Sequence, residues 1–245
     1  MTKSDVKYIQ SLAHKKQREK EGLFVVEGVK MVDELLLNFP DRIVRIFAID
    51  TWINDRKEVV KKYNSLDCID LPSLEKISFL QTPNEVLALV SMPTLDMIPS
   101  ISNGITLVLD EIQDPGNLGT IIRTADWFGV KQIICSNDTS DAFSPKVVQA
   151  SMGSLMRLKI FYLELESFLK TTKELPIYTA ELNGESVYDI DFKQPMLLVI
   201  GNESRGVSEK ISRLATKKIT IPKVGNSESL NASVAAGIIL SHASR

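Results

Sequence analysis

A carboxamide and a carboxylate, Asn202 and Glu203, follow Gly201 where the apolar run Met196 to Ile200 stops. A second apolar run, Ile219 to Ile221, stops at Pro222 and opens a loop of Gly, Asn and Ser that leads into Ser229, Leu230 and Asn231. Further upstream, the turn chemistry of Asp114-Pro115-Gly116 precedes Asn117, and Arg123 follows on the same helical stretch. Together these side chains offer a permanent cation, a carboxylate and several amide and hydroxyl donors. Such a set is material for a ligand site. Each also has a plain structural use. Asn117 would serve as an N-cap, Arg123 as a solvated cation, Glu203 as a loop carboxylate or ion-pair partner of Arg123, and Ser229 and Asn231 as caps. Their common placement at strand ends, or on the helices that follow, favours a site, because ligands of α/β sheets sit at the carboxyl ends of strands.

The elements that must hold these residues follow from the hydrophobic pattern. Thr106 to Leu109 reads as a strand, and Leu118, Ile121, Ile122, Ala125 and Phe128 share one face of the next helix, which Gly129 closes. Arg123 falls almost opposite that face, outside the core. Strands at Lys131 to Ser136, Leu158 to Phe161 and Ile177 to Ala180, with a short helix at Pro145 to Ser151, complete an alternation that favours a parallel sheet covered on both faces. The first 90 or so residues form a smaller α/β segment. It has a helix over Asp5 to Arg18, a strand Leu23 to Val26 ending at Glu27-Gly28, a helix before Pro40, a β-rich run Ile43 to Ile49, a helix Thr51 to Tyr63, and extended runs Ile77 to Gln81 and Val86 to Val90. Two prolines with Ser, Asn and Gly between Ser91 and Gly104 mark a linker. The expected organisation is residues 1–95, a linker over 96–104, and a second domain over 105–245.

Composition narrows the chemistry. At 245 residues, 44% hydrophobic and 24% charged, the chain reads as a globular protein with no apolar run of membrane-spanning length, and a cytoplasmic setting is expected. His14 and His242 are the only histidines, so a Ser-His-Asp triad or a His-based metal centre has no material. Cys68 and Cys135 stand far apart without C-x-x-C spacing, which removes a disulfide framework and a zinc site; no metal is expected. Neither G-x-G-x-x-G after the first strand nor a P-loop is present. Net charge is −2, yet residues 1–20 concentrate Lys3, Lys7, Lys15, Lys16, Arg18 and Lys20, a patch suited to phosphate contacts.

Three stretches, D-P-G-N-L-G-T-I-I-R-T-A, L-V-I-G-N-E-S-R-G-V-S and I-P-K-V-G-N-S-E-S-L-N-A-S-V-A-A-G-I, resemble in order and spacing the three motifs of the SpoU family. These are RNA ribose 2′-O-methyltransferases of the SPOUT superfamily. Residues 1–95, with F-V-V-E-G-V-K-M-V-D-E-L-L, resemble the substrate-binding domain often fused in front. The resemblance implies an α/β fold: a C-terminal SPOUT domain with a parallel sheet and a deep trefoil knot, preceded by a small α/β substrate-binding domain. It further implies S-adenosylmethionine as cofactor, structured RNA (rRNA or tRNA) as substrate, and a homodimer. By motif position, Asn117, Arg123, Glu203, Ser229 and Asn231 match the family's functional polar residues. Gly201, Ile221 and Leu230 match positions whose backbone contacts the cofactor, and Thr179 and Ala180 line the same pocket. Arg123 is thereby assigned to the ribose hydroxyl, where a permanently protonated guanidinium acts by stabilising an alkoxide and holding the adjacent phosphate. Glu203 would orient Arg123 or Asn117, while Ser229 and Asn231 hold the loop and the substrate. Two departures stand out, Ser204 where Gly is usual and Ala232 where Val is common. A catalytically silent RNA-binding or ribosome-assembly protein on the same fold, and a nucleotide-binding α/β enzyme of another class, are the alternatives.

Overall fold

The structure is a computed structural model describing residues 1–63, 65–94, 99, 101 and 103–245. Its chain forms two compact units: Met1–Thr94 with Phe143–Met156, and Leu95–Ala142 with Arg157–Arg245. Most of the linker expected over 96–104 lies outside the described residues. The division also differs from a single cut, since 143–156 returns to the first unit.

In the first unit, helices α1 (Lys3–Ser11) and α2 (Lys15–Glu21) precede β1 (Leu23–Glu27) and α3 (Val29–Asn38). Then come β2 (Ile43–Ala48), α4 (Asp50–Asp55), α5 (Lys57–Val60), β3 (Leu66–Cys68), α6 (Leu71–Ile77) and β4 (Val86–Ser91). The sheet order is β1-β4-β2-β3, with β4 antiparallel to both neighbours and β3 parallel to β2. Ile9, Leu12, Val25, Phe47, Leu74, Ile77, Leu87 and Leu89 form its core. The single helix expected over Asp5 to Arg18 is two. Arg18 is the reason: it is 2% exposed, and its Nη1 donates to the carbonyls of Leu12 (2.6 Å) and Ala13 (2.7 Å), holding the break between α1 and α2. Thr51 to Tyr63 likewise splits at Arg56, whose guanidinium is drawn to Asp33 at 2.6 and 2.8 Å and lies over the Trp52 ring. Ile77 closes a helix and starts no strand. The residues after it are strapped to the buried Glu27 carboxylate, which accepts from Ser78 Oγ at 2.6 Å and from the Phe79 amide at 2.7 Å. The returning segment brings α8 (Pro145–Ser151) onto β1, and Phe143 packs on Phe24 with ring centroids 5.1 Å apart.

The second unit is a six-stranded sheet in the order β10-β8-β9-β5-β6-β7, parallel throughout. Its strands are β5 (Ile105–Leu109), β6 (Gln132–Ser136), β7 (Lys159–Leu163), β8 (Ile177–Ser186), β9 (Met196–Ile200) and β10 (Lys217–Thr220). Helices α7 (Pro115–Trp127), α9 (Leu165–Thr171), α10 (Glu209–Ser212) and α11 (Ala232–Ala243) connect or cover them. β5, β6 and β9 are buried along their whole length, which explains why they read as unbroken apolar runs. Strand order fixes where a ligand can sit. From β5 the chain builds outward through β6 and β7, then crosses back to lay β8 and β9 on the other side. The crevice between the ends of β5 and β9 is thus a topological switch point. α11 packs along α7, where a Cβ on Gly237 would make ordinary van der Waals contact with Thr124 Cγ2 at 3.6 Å.

Candidate active site

The turn before α7 sets the geometry. Pro115 occupies the first helical position, so the residue whose side chain can reach back over the first turn is Asp114. Its Oδ1 accepts from the Asn117 amide at 2.8 Å, and Asp114 is therefore the N-cap, in place of the expected Asn117. That correction has a chemical consequence: the Asn117 carboxamide is released from capping. Its Nδ2 donates to Glu203 Oε1 at 2.7 Å, and its Oδ1 accepts from Asn231 Nδ2 at 2.9 Å. An ionised carboxylate can only accept, so Glu203 dictates which end of Asn117 faces it and which end faces Asn231. Asn231 in turn caps α11, accepting from the Ser233 amide at 2.9 Å. Three of the expected polar residues, from three separate motifs, form one hydrogen-bonded line. It joins the end of β9 to the starts of α7 and α11.

Beneath this line the loop after β9 is folded tightly. Asn202 and Gly206 exchange backbone hydrogen bonds, and Asn202 Oδ1 accepts from the amides of Ser204 and Arg205. Asn202 Nδ2 donates to the Glu111 carbonyl at 2.8 Å, tying the ends of β9 and β5 together. A Cβ on Gly201 would lie 2.2 Å from Gly206 C and Val207 N, so no side chain fits at that position. The left-handed residue of this loop is Gly206, φ +71°, and Ser204 needs no such freedom. Glu111 does adopt a left-handed conformation, with φ 59°. Its amide donates to Ser136 Oγ at 2.9 Å, and its carboxylate pairs with Arg205 at 2.8 Å. The buried Asp110 accepts from the Ser208 amide at 2.8 Å.

Arg123 is exposed on α7 and makes no hydrogen bond or ion pair among the described residues. Glu203 is committed to Asn117; of the two partners expected for Glu203, this is the one observed. Ser229 is exposed, its carbonyl accepting from Ser227 Oγ at 3.0 Å. Among the described residues, none of 221–230 takes part in a backbone–backbone hydrogen bond, so this loop presents open main-chain donors and acceptors. Thr179 is fully buried between β9 and β10, and its hydroxyl donates to Glu181 at 2.8 Å. The partly exposed residue there is Ala180.

Three residues that organise the site stand outside those assigned to it from the sequence. Asn202 carried a signal, standing between Gly201 and Glu203 in the motif. Glu111 carried none, since nothing in its type announces a positive φ. Glu181 is the third. It also accepts from Ser212 Oγ at 2.8 Å and Lys218 Nζ at 3.0 Å, where the β8–β10 register jumps from Thr179 to Glu185. Partial burial raises its pKa, but the hydrogen bonds from Thr179, Ser212 and Lys218 and the charge of Lys218 outweigh it and hold the carboxyl below its usual value. Among the described residues no cluster of His, Cys, Asp and Glu could hold a metal ion, and no helix is long and apolar enough to cross a membrane.

Comparison with known proteins matches two family models to successive parts of the chain. Residues 104–241 match the model of the SpoU rRNA Methylase family, and residues 3–88 match the MRM3-like substrate binding domain. A 23S rRNA (guanosine(2553)-2'-O)-methyltransferase of Bacillus subtilis is 31% identical, over 97% of this chain and 94% of its own. A 23S rRNA (uridine(2479)-2'-O)-methyltransferase of Streptomyces viridochromogenes is also 31% identical, over 96% of this chain and 86% of its own. Among solved structures, an AdoMet-bound rRNA methyltransferase from Sinorhizobium meliloti superposes with a TM-score of 0.87 at 29% identity, covering 99% of this chain and 95% of that one.

Proposed function

The chain belongs to the SpoU rRNA methylase family, and we infer that it methylates a ribose 2′-hydroxyl of RNA with S-adenosylmethionine as donor. The observation that carries this reading is similarity along nearly the whole chain to two ribose 2′-O-methyltransferases, joined to the Glu203–Asn117–Asn231 line at the sheet's switch point. Those relatives act on a guanosine and a uridine. The shared scaffold therefore serves the ribose, which both nucleotides have in common.

When bound, S-adenosylmethionine supplies an electrophilic methyl group. The open main chain of 221–230 suits a ligand that needs amide donors and carbonyl acceptors, so Ile221 and Leu230 would hold it, with Gly201 and Ala180 alongside. Thr179 would contribute through position alone, since its hydroxyl is taken by Glu181. In this reading Arg123 faces the ribose hydroxyl and the adjacent phosphate. An arginine stays protonated at any working pH, so it acts by stabilising the alkoxide as the proton leaves. Its lack of a partner among the described residues supports the role, because a guanidinium already paired with Glu203 would have less charge to offer. Glu203 positions Asn117, Asn231 ties α11 to that pair, and Ser229 is left to meet the substrate.

Residues 1–95 are the RNA-binding domain in this reading and 105–245 the methyltransferase domain, a division supported by the two matched family models. A homodimer in the cytoplasm and the deep trefoil knot belong to the same proposal. The close approach of Gly201 to Gly206 and of Gly184 to the β10 backbone supports a chain threaded tightly through its own loops. The test is twofold. Calorimetry on the full chain should register S-adenosylmethionine binding. Mapping of ribose methylation in ribosomal and transfer RNA, with and without the protein, should reveal one position that depends on it. Cofactor binding without any dependent position would favour the silent RNA-binding alternative.

A further inference from the structure

Asp110 is a buried carboxylate that the reaction outlined above does not use. It follows the last residue of β5 and is 2% exposed. Its Oδ2 accepts from the Ser208 amide at 2.8 Å, and no second donor reaches the carboxylate among the described residues. A charge buried with so little support stabilises the fold less than an apolar side chain would. Its position gives the better reason. Leu109 pairs with Ile200 across β5 and β9, and the Asp110 amide donates to the Ile200 carbonyl at 2.9 Å. Asp110 thus lies where β9 gives way to the loop 201–208, at the switch point of the sheet. The near end of that loop hangs on Asn202, whose Nδ2 donates to the Glu111 carbonyl at 2.8 Å. The far end hangs on Asp110. Ser208 leads into α10, a helix of only four residues, and its own hydroxyl is buried without a hydrogen-bond partner. Adjacent residues therefore hold both ends of the loop. Their own segment is fixed from the β6 side: Thr139 Oγ1 donates to the Leu109 carbonyl at 3.3 Å, and the Ser140 amide to the Ile112 carbonyl at 2.9 Å.

We propose that Asp110 is a positioning residue for the cofactor, clamping the far end of the 201–208 loop so that Gly201 and Glu203 are in place before the ligand arrives. This rests on the methyltransferase reading above and adds to it a residue outside the three motifs. The fold of the loop favours a clamp at this point. Gly201 has no room for a Cβ because Gly206 and Val207 lie over it, and Ser208 comes next in the chain. Freed from Asp110, the return through 206–208 would swing away from Gly201. Glu203, carried between the two anchors, would lose its register with Asn117. A loop that holds the binding geometry for only part of the time weakens its ligand by that fraction.

Hydrogen exchange of the full-length protein without ligand, read by mass spectrometry, tests the clamp itself. Asp110→Ala should speed exchange of the amides of 202–208 about tenfold or more, while β9 and α11 keep wild-type protection. Calorimetry should show S-adenosylmethionine bound about tenfold or more weakly. In methyl transfer to ribosomal RNA purified from cells lacking the protein, the cofactor KM should rise in step, with kcat at saturating cofactor within about twofold of wild type. Asp110→Asn keeps an acceptor oxygen at the same place and should restore protection and affinity to within about threefold. Ser208→Pro removes the donor instead, and the φ of −61° at Ser208 suits proline, so it carries the same test if Asp110→Ala folds poorly. Unchanged exchange at 202–208 in Asp110→Ala would overturn the proposal. So would faster exchange throughout β9 and α11, since Asp110 would then serve the fold at large. Asp110→Asn as weak as Asp110→Ala would overturn it too, because the charge and not the hydrogen bond would then matter. If the wild-type protein binds no S-adenosylmethionine, the methyltransferase reading fails, and exchange at 202–208 still decides whether Asp110 holds the loop.

Discussion

Arg123 and Glu111 show how differently two charged residues of one site can be placed. Arg123 lies outside the apolar face of α7 and touches no partner among the described residues, so Arg123→Ala should change stability by no more than about 0.5 kcal/mol. Its effect belongs in the reaction: single-turnover methyl transfer should fall roughly a hundredfold or more, as for other single electrostatic donors. Arg123→Lys should recover little of it, because a point charge lacks the planar fork that spans phosphate and hydroxyl. Cofactor affinity by calorimetry should hold in both. Normal methylation by a folded Arg123→Ala protein would remove the assignment. Glu111 is instead a matter of backbone. Its φ of 59° strains any residue with a Cβ, yet its peptide is held there by Asn202 and Ser136. Glu111→Gly should therefore be more stable than Glu111→Ala by about 1 kcal/mol, both having lost the same pair with Arg205. Thermal unfolding of the two variants checks this; equal midpoints would mean that the strain is not felt. The candidate site residues stood out in the sequence because motifs carry them. This strained position did not, because backbone conformation leaves no mark on a Glu.

At the scale of elements, what the sequence concealed were breaks and caps. Buried strands such as β5, β6 and β9 announce themselves as apolar runs, and the helical face of α7 as a 3.6-residue period. A helix that stops midway for one inward-turned side chain does neither. Arg18 read as a surface cation of a basic helix, and it is in fact the clasp between α1 and α2. The two classes of basic residue should thus separate in experiment. Replacing the exposed Lys15 and Lys16 with Ala should lower the salt slope of RNA binding by just under one per residue, with unfolding unchanged. Arg18→Ala should cost about 2 kcal/mol of stability by leaving two carbonyls unpaired, and alter the slope little. A slope set by Arg18 would place α2 differently. Asn117 is the same lesson in a helix cap, since Pro115 gave the cap to Asp114 and left the carboxamide for Glu203. The clamp on β8 acts between elements. Glu181 binds Thr179, Ser212 and Lys218 just where β10 departs toward the 221–230 loop. Glu181→Gln keeps an acceptor for the hydroxyls and loses the charge pair. We expect the cofactor KM to rise roughly fivefold, equivalent to about 1 kcal/mol, with kcat at saturating cofactor retained. Loss of kcat at an unchanged KM would point to a role in the chemistry.

At the scale of the whole molecule, the alternation of strands and helices foretold a parallel sheet, but no local pattern says which unit a segment joins. Pro145 to Ser151 was legible as a helix; that it would leave its sequence neighbours and lie on β1 was not, because the contact spans more than a hundred residues. Phe143, Val147 and Val148 are each under 9% exposed within the first unit, and Phe143 reaches that state against Phe24. A fragment of residues 100–245 keeps every candidate cofactor residue yet strips this segment of its partner surface. Re-exposing a Phe and two Val side chains forfeits roughly 1.5–3 kcal/mol apiece and leaves an apolar patch in water. The fragment should therefore aggregate on size-exclusion chromatography under conditions where the full chain does not. Replacing Phe143, Val147 and Val148 with Ser, Thr and Thr should restore a well-behaved fragment. That repaired fragment should bind S-adenosylmethionine as tightly as the full chain, since Ala180, Gly201, Ile221 and Leu230 all lie in the second unit. An unmodified fragment that stays soluble and binds cofactor would mean that 143–156 does not need β1. A repaired fragment that folds but fails to bind would mean that the first unit contributes to the cofactor site.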